Sequence, residues 1–284
     1  MKRITTIAEM KAACRPVARA GKTLGFVPTM GALHEGHLSL VRASRSRCDV
    51  TAVSIFVNPL QFGPAEDLEK YPRPLERDAA LLEELSVDLL FLPEAREMYP
   101  PGAQTYVLVE DLSNKLDGAS RPGHFRGVAT VVTKLFEIVR PDFAFFGQKD
   151  AAQVAVLRKL AADLDMDVEI VVCPIVRQKD GLAMSSRNMY LTPEQRQQAL
   201  VLSRSLLQVQ AAVEAGERDA AKLIEIGKQA IAEEAGARLD YFAVVDPHTL
   251  DPVAEVSGGA LVAVAAYVGT TRLIDNVVVA ASSR

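Results

Sequence analysis

VPTMGALHEGHLSLV, residues Val27 to Val41, runs from a short β-branched stretch through a glycine-containing turn into a helical pattern. The same rhythm repeats outward from it. Candidate strands are GFVPT (Gly25–Thr29), DVTAVSIFV (Asp49–Val57), VDLLFLP (Val87–Pro93), DFAFFG (Asp142–Gly147) and VEIVVCPIV (Val168–Val176). Between them lie segments such as PLERDAALLEEL, GVATVVTKLFEIV and DAAQVAVLRKLAADL, whose apolar residues recur every three or four positions, the period of a helix with one buried face. Short buried strands alternating with such helices predict a parallel sheet wound by right-handed crossovers. In such a sheet ligands sit beyond the carboxyl ends of the strands, so chemistry is to be sought just after each strand.

The pattern changes near Thr192. Thr192 as N-cap, Pro193 at the first helical position and Gln195 completing a capping box predict a helix running toward Ala215, with Gly216 as its stop. A second helix over Asp219–Ala235 and three strands at Leu239–Val245, Ala260–Tyr267 and Arg272–Ala280 follow, as an α+β unit would. The expected fold is therefore α/β, with a Rossmann-like sheet domain over residues 1–176 and a smaller α+β domain over residues 177–284.

The 284 residues are 49% apolar and 24% charged, which excludes intrinsic disorder and predicts a real core. A formal net charge of −4 offers no excess of cations for a polyanion, so nucleic acid is not expected as a partner. Cys14, Cys48 and Cys173 are odd in number and have no CxxC spacing, which argues against a disulfide framework or a thiolate metal site and fits a reducing cytoplasm. The N-terminal stretch is interrupted by charges every few residues, and no run reaches the length of a membrane span, so neither export nor a membrane partner is expected.

Five segments carry residue types suited to chemistry. In the first, His34 and His37 are three apart at a helix start and so share a face, near unpaired backbone N–H groups that favour anions; Gly31 and Gly36 permit close approach of a ligand. Two imidazoles there suit charge developing on a phosphate, and a pair of structural histidines is the alternative. HEGH lacks the four-residue spacing of a zinc HExxH helix, and neither GxGxxG nor a Walker A string occurs. In the second, Asn58-Pro59 ends a strand and places the Asn58 and Gln61 amides at the ligand edge, suited to hydroxyls or a carboxylate; Asp78, on the next helix, reads as a solvated residue. In the third, Arg121, His124 and Arg126 on a basic turn could gather phosphate or carboxylate, or simply be exposed. In the fourth, Gly147 is followed by Lys149, with Asp150 and Gln153 on the adjoining helix. In the fifth, Lys179, Ser185, Ser186 and Arg187 lie on a polar loop at the domain boundary, suited to closing over a triphosphate.

An HxGH turn early and a basic serine-rich loop late, each following a strand, resemble the HIGH and KMSKS signatures of the nucleotidyl-transferase superfamily. More narrowly, PTMGALHEGH, SIFVNPLQF, EDLEKYPR, RPGHFRGVATVVTKLF, FFGQKD and DGLAMSSRN are similar to the pantoate–β-alanine ligase (pantothenate synthetase) family, over most of residues 25–191 and in the same order. The resemblance implies an ATP-dependent condensation of (R)-pantoate with β-alanine, through pantoyl adenylate, to give pantothenate, AMP and pyrophosphate. It implies ATP binding by Met30, Gly31, Ala32, Leu33, His34, Glu35, Gly36 and His37, with His37 as proton donor and His34 beside it in transition-state stabilisation. It further implies ATP contacts from Gly147, Gln148, Lys149 and Asp150, from Val176 near adenine, and from Met184, Ser185, Ser186 and Arg187, with Lys149 and Ser185–Arg187 on the phosphates. Gln61 and Gln153, with Asn58 and Met30, are the expected substrate contacts. Magnesium is expected on the ATP phosphates with no protein-held metal. A homodimer through the N-terminal domain and a lid-like C-terminal domain complete the implication. Ala151 and Ala152 depart from the family's aromatic–Gln pair before Gln153, which bears on local packing and pocket lining.

Overall fold

The computed structural model describes residues 1–63 and 68–279, so Glu66 and Asp67 of the EDLEKYPR string and Ala280 of the last expected strand lie outside the described residues. Among those described, the strands form two sheets. The chain opens with β1 (Lys2–Ile4) and α1 (Ile7–Arg19), then enters β2 (Leu24–Thr29), α2 (Glu35–Arg47) and β3 (Val50–Ile55). After it come α3 (Leu75–Glu84), β4 (Leu89–Phe91), the single turns α4 (Ala95–Met98) and α5 (Asp117–Ser120), α6 (His124–Val139), β5 (Phe143–Gly147), α7 (Ala151–Asp163) and β6 (Glu169–Cys173). The first sheet has the order β1-β4-β3-β2-β5-β6 and every neighbouring pair is parallel. This is the expected α/β class, with the strands generally shorter than their apolar runs.

Sheet order places the ligand crevice. From β2 the chain moves outward through β3 and β4 on one side, then returns to lay β5 and β6 on the other, so the direction of winding reverses between β2 and β5. A crevice opens at such a reversal, beyond the carboxyl ends of the two strands, which here are Thr29 and Gly147. α2 lies hard against this centre. A Cβ on Gly25 would stand 2.2 Å from Ser44 Oγ and 2.8 Å from Cys48 Sγ, so a side chain there would push α2, and the histidine turn at its start, off the sheet.

The C-terminal half begins with α8 (Pro193–Glu214), whose Thr192 Oγ1 accepts from Gln195 N at 3.2 Å while Thr192 N donates to Gln195 Oε1 at 3.1 Å, the expected capping box. α9 (Ala220–Ala232) follows, capped by Asp219 and ending three residues before its pattern does. β7 (Ala237–Val245), β8 (Ala260–Val268) and β9 (Thr271–Val279) then form an antiparallel sheet in that order. Alternation along β8 serves two cores. Val262, Val264 and Ala266 pack with Leu202, Leu206 and Leu223 of the two helices, whereas Leu261 and Ala263 join Tyr241, Ala243 and Val245 in the core that holds Phe125 and Val128 of α6. Polar ties flank this apolar seam: Arg272 reaches Asp117 at 2.7 Å and Asp240 at 2.8 Å, and Lys115 reaches Asp251 at 2.8 Å. All three cysteines are free and buried, and among the described residues no helix is long and apolar enough to cross a membrane.

Candidate active site

The histidine turn is built by a buried acid. Gly31 and Ala32 both take positive φ (82° and 51°), and the turn they make is held by Asp78 of α3, whose Oδ1 accepts from Leu33 N at 2.9 Å, with the Ala32 amide as a second donor. Asp78 is 1% exposed, which corrects the solvated reading. Burial raises its carboxyl above the ordinary range, although the Leu33 and Ala32 amides pull the other way. Leu33 is in the core and Glu35 points to solvent, paired with Arg42, so neither side chain lines the cleft; any part they or the buried Gly31 and Ala32 take in ligand binding is through the backbone.

This turn presents His34 as the N-cap of α2 and His37 in its first turn, their rings stacked with centroids 4.1 Å apart. His34 N donates to His37 Nδ1 at 3.4 Å, which leaves His37 Nε2 to carry the proton of a neutral ring. Burial, reinforced by Lys149, lowers His34 to about 4; burial, reinforced by His34, lowers His37 to about 3. Both rings are thus neutral hydrogen-bonding groups at pH 7. His34 Nδ1 is buried without a hydrogen-bond partner, and a Cβ on Gly36 would lie 2.9 Å from it, so glycine is what lets this ring fold back over the turn.

Across the crevice, β5 ends at Gly147 and a single 3-10 turn over Gln148–Asp150 leads into α7. Lys149 Nζ stands 3.2 Å from Asp150 Oδ1. Burial works against the Asp150 carboxylate, but Lys149, then His37 and Arg187, outweigh it and hold the group below its ordinary range. Gln153, one helical turn on, lines the cleft; Gln148 turns away and donates to Asn276 Oδ1. The serine-rich loop closes the third side: Met184 N bonds Val176 O at 2.9 Å, Ser185 Oγ accepts from Arg187 N at 3.2 Å, and Ser186 Oγ lies 3.4 Å from Tyr71 OH. Lys179 is exposed and away from the cleft lining, as is Arg126, whose guanidinium lies 4.9 Å from the Tyr106 ring centroid.

The floor is set by Asn58, in a role other than the expected substrate contact. It is 1% exposed; its Nδ2 donates to Gln61 Oε1 and Gly127 O, both at 3.0 Å, and its Oδ1 accepts from Tyr99 OH at 2.9 Å and Leu60 N at 3.3 Å. An amide with four protein partners has no capacity left for substrate, so Asn58 positions Gln61. The Gln61 carbonyl accepts from His124 Nδ1 at 2.9 Å and from Arg121 Nη2 at 3.2 Å, and Arg121 Nη1 reaches His124 Nε2 at 3.1 Å. This is possible because Gly127 lets α6 touch the turn: a Cβ there would stand 2.1 Å from Leu60 O.

These elements enclose one cleft with two joined lobes. The smaller, about 180 Å³, is lined by Met30, His34, Gly36, His37, Gly147, Val176 and Met184; the larger, about 880 Å³, extends between the two sheets. Lys149, Asp150, Gln153, Ser185, Arg187, Arg121 and His124 face both. The arrangement offers neutral donors on one wall, cations and hydroxyls on the other, and two glutamines at the floor, which suits a polyanion beside a small polar acid. Among the described residues no cluster of three or more His, Cys, Asp or Glu could hold a metal ion. Sequence reading missed Tyr71 and misread Asp78; for Asp78 the signal was its spacing to Leu82, which puts the acid on the apolar face of α3.

Three comparisons show which family the chain belongs to. The family model described as pantoate-beta-alanine ligase matches residues 2–278. The chain is 60% identical to the pantothenate synthetase of Koribacter versatilis over 282 residues, covering 99% of this chain and 97% of that one. Among solved structures it is similar to the pantothenate synthetase of Thermus thermophilus (48% identity, TM-score 0.93, 98% of this chain and 99% of that one). It is likewise similar to the pantoate-beta-alanine ligase of Francisella tularensis complexed with beta-gamma ATP and beta-alanine (35% identity, TM-score 0.81, 98% and 97% covered).

Proposed function

Because this chain belongs to the pantoate–β-alanine ligase family and is an enzyme that joins pantoate to β-alanine, we propose that ATP drives the ligation through a pantoyl adenylate formed between the His34–His37 wall and Lys149. The observation that carries this reading is the convergence of His34, His37, Lys149, Ser185 and Arg187 on one cleft at the reversal point of the sheet. Adenine lies by Val176 and Met184, and Gln61 and Gln153 hold pantoate by its hydroxyl groups. A pantoate carboxylate oxygen attacks the α-phosphorus as the bond to the β-phosphate breaks. The negative charge gathering on departing pyrophosphate is met by Lys149, Arg187 and the Ser185 and Ser186 hydroxyls. His37 donates a hydrogen bond from Nε2 to the phosphate oxygens and, being neutral down to about pH 3, serves as a dipole aimed at charge and not as an acid. In the second step the neutral amine of β-alanine attacks the acyl carbon, AMP departs with the bonding pair, and the proton shed by the nitrogen passes to solvent. Arg121, beside Gln61 and facing both lobes, suits the β-alanine carboxylate.

No protein nucleophile is needed; positioning and charge neutralisation do the work. The lack of a carboxylate cluster among the described residues suits magnesium held by the triphosphate's own oxygens, where it would supply charge neutralisation beside Lys149 and its neighbour Asp150. The reading includes a cytoplasmic homodimer, supported by the free cysteines and by Tyr106 and Leu108, each about half exposed (50% and 51%) on the segment between α4 and α5. It also includes residues 177–284 as a lid-bearing domain, supported by the separate helix-backed core of that half.

Pyrophosphate–ATP exchange with purified protein, MgATP and D-pantoate, β-alanine omitted, tests it. Exchange that requires pantoate is expected; ATP binding with no pantoate-dependent exchange would overturn the adenylate mechanism.

A further inference from the structure

β9 supplies two consecutive polar residues, Asp275 and Asn276, both 3% exposed in a strand otherwise largely apolar on its buried positions. Their partners lie on different elements of the cleft. Asn276 Nδ2 donates to Gln148 O and to Lys149 O, each at 2.9 Å, and its Oδ1 accepts from Gln148 Nε2 at 3.0 Å. Both amide protons are thus spent on the backbone of the turn that carries Lys149. Asp275 takes a two-pronged contact from Arg177, Nη1 to Oδ2 at 2.5 Å and Nη2 to Oδ1 at 3.0 Å, and its Oδ1 also accepts from the Asn276 backbone N–H at 2.8 Å. Arg177 in turn donates to Gly181 O at 3.1 Å and bridges Ala183 through its backbone, so it fixes the root of the loop that ends in Ser185–Arg187. Neighbouring residues of a strand project to opposite sides, which is how one strand reaches both elements.

We infer that Asp275 and Asn276 are positioning residues for adenylate formation, holding the Lys149 turn and the Ser185–Arg187 loop in one fixed geometry from a single strand of the second sheet. The inference rests on the ligase reading above. A contact that merely docked the two halves would have no need to end on the Lys149 carbonyl and the loop root; Lys115, reaching Asp111, Thr249 O and Asp251, docks them elsewhere and touches neither. The two roles separate by half-reaction, because the bond to pyrophosphate is already broken when the amine attacks.

The test compares pyrophosphate–ATP exchange with aminolysis of supplied pantoyl adenylate by β-alanine in Asn276→Ala, Asn276→Asp, Asp275→Asn and Lys115→Ala. The Asn276 variants are expected to lose roughly 10–100-fold in exchange rate at saturating ATP, the scale of a small misplacement of a catalytic group, while aminolysis stays within about threefold. Asp275→Asn should lose less, in the same half-reaction, and Lys115→Ala should show no selective loss. Asn276→Asp and Asp275→Asn keep side-chain shape and carry the test if Asn276→Ala is insoluble. Equal slowing of both half-reactions, unchanged exchange in a folded Asn276 variant, or the same selective loss in Lys115→Ala would overturn the assignment. Wild-type exchange that ignores pantoate would refute the ligase mechanism instead.

Discussion

The stacked histidines should make the unliganded enzyme acid-labile by an amount that can be worked out in advance. In the folded chain His34 and His37 resist protonation until about pH 4 and about pH 3, whereas in the unfolded chain both titrate near 6.5. A base whose folded pKa is depressed contributes stability that is complete above its unfolded value and is lost as pH falls toward the folded one. The window here is therefore from about 6.5 down to about 3. Between about pH 7.5 and about pH 5 the unfolded state gains two protons that the folded state does not take up. At 1.36 kcal/mol per unit over roughly 1.5 units, each ring costs about 2 kcal/mol and the pair about 4 kcal/mol. At pH 5 the result depends only on both folded values lying well below 5.

Urea unfolding at the two pH values, for wild type and for the His34→Gln/His37→Gln double variant, isolates this contribution, since carboxylates such as Asp78 titrate alike in both and cancel in the comparison. Wild type should lose about 4 kcal/mol more than the variant on acidification. A difference below about 1 kcal/mol would mean that the folded rings titrate near the unfolded value and would refute the reading of His37 as a group that stays neutral well below pH 7. Saturating MgATP should shrink the difference, because phosphate oxygens beside the rings favour the imidazolium.

Three further outcomes follow from the same geometry. Lys149→Ala and His37→Ala should each lose at least ~2–3 kcal/mol of transition-state stabilisation, read as kcat/KM for ATP in the exchange assay; near-normal kcat in either contradicts its role. Gly36→Ala places a methyl 2.9 Å from the His34 ring while leaving the core alone, so exchange should fall about tenfold or more with the melting temperature nearly unchanged, as steady-state kinetics and calorimetry would show. Asp78→Ala strands two buried amides in the histidine turn and should cost about 2–5 kcal/mol in urea unfolding, with Asp78→Asn costing less because one oxygen can still accept.

How much of this was legible depended on whether a residue's partner was local. The Thr192–Gln195 box was readable because both partners lie within one turn. β1 and α1 were not read, since β1 buries only Ile4 of its three residues and Pro16 sits inside α1 against its helical pattern. The strand-end rule found His34, His37 and Lys149 together because it converts topology into position. It could not show that Asn58 faces four protein partners or that Asp78 reaches back 45 residues to Leu33, because nothing in a sequence says which way a polar side chain points. Yet burial pattern narrows the choice. Asp78 shares its face with Leu82, and Asp275-Asn276 interrupts an apolar strand where any alternation would bury at least one of the two. A polar group at such a position is too costly to leave unpaired, so it has a partner somewhere, and here the partners are the turns that carry the chemistry. Polar residues in places that the periodicity reserves for the core are thus a second route to this site, independent of the residues that touch its ligands.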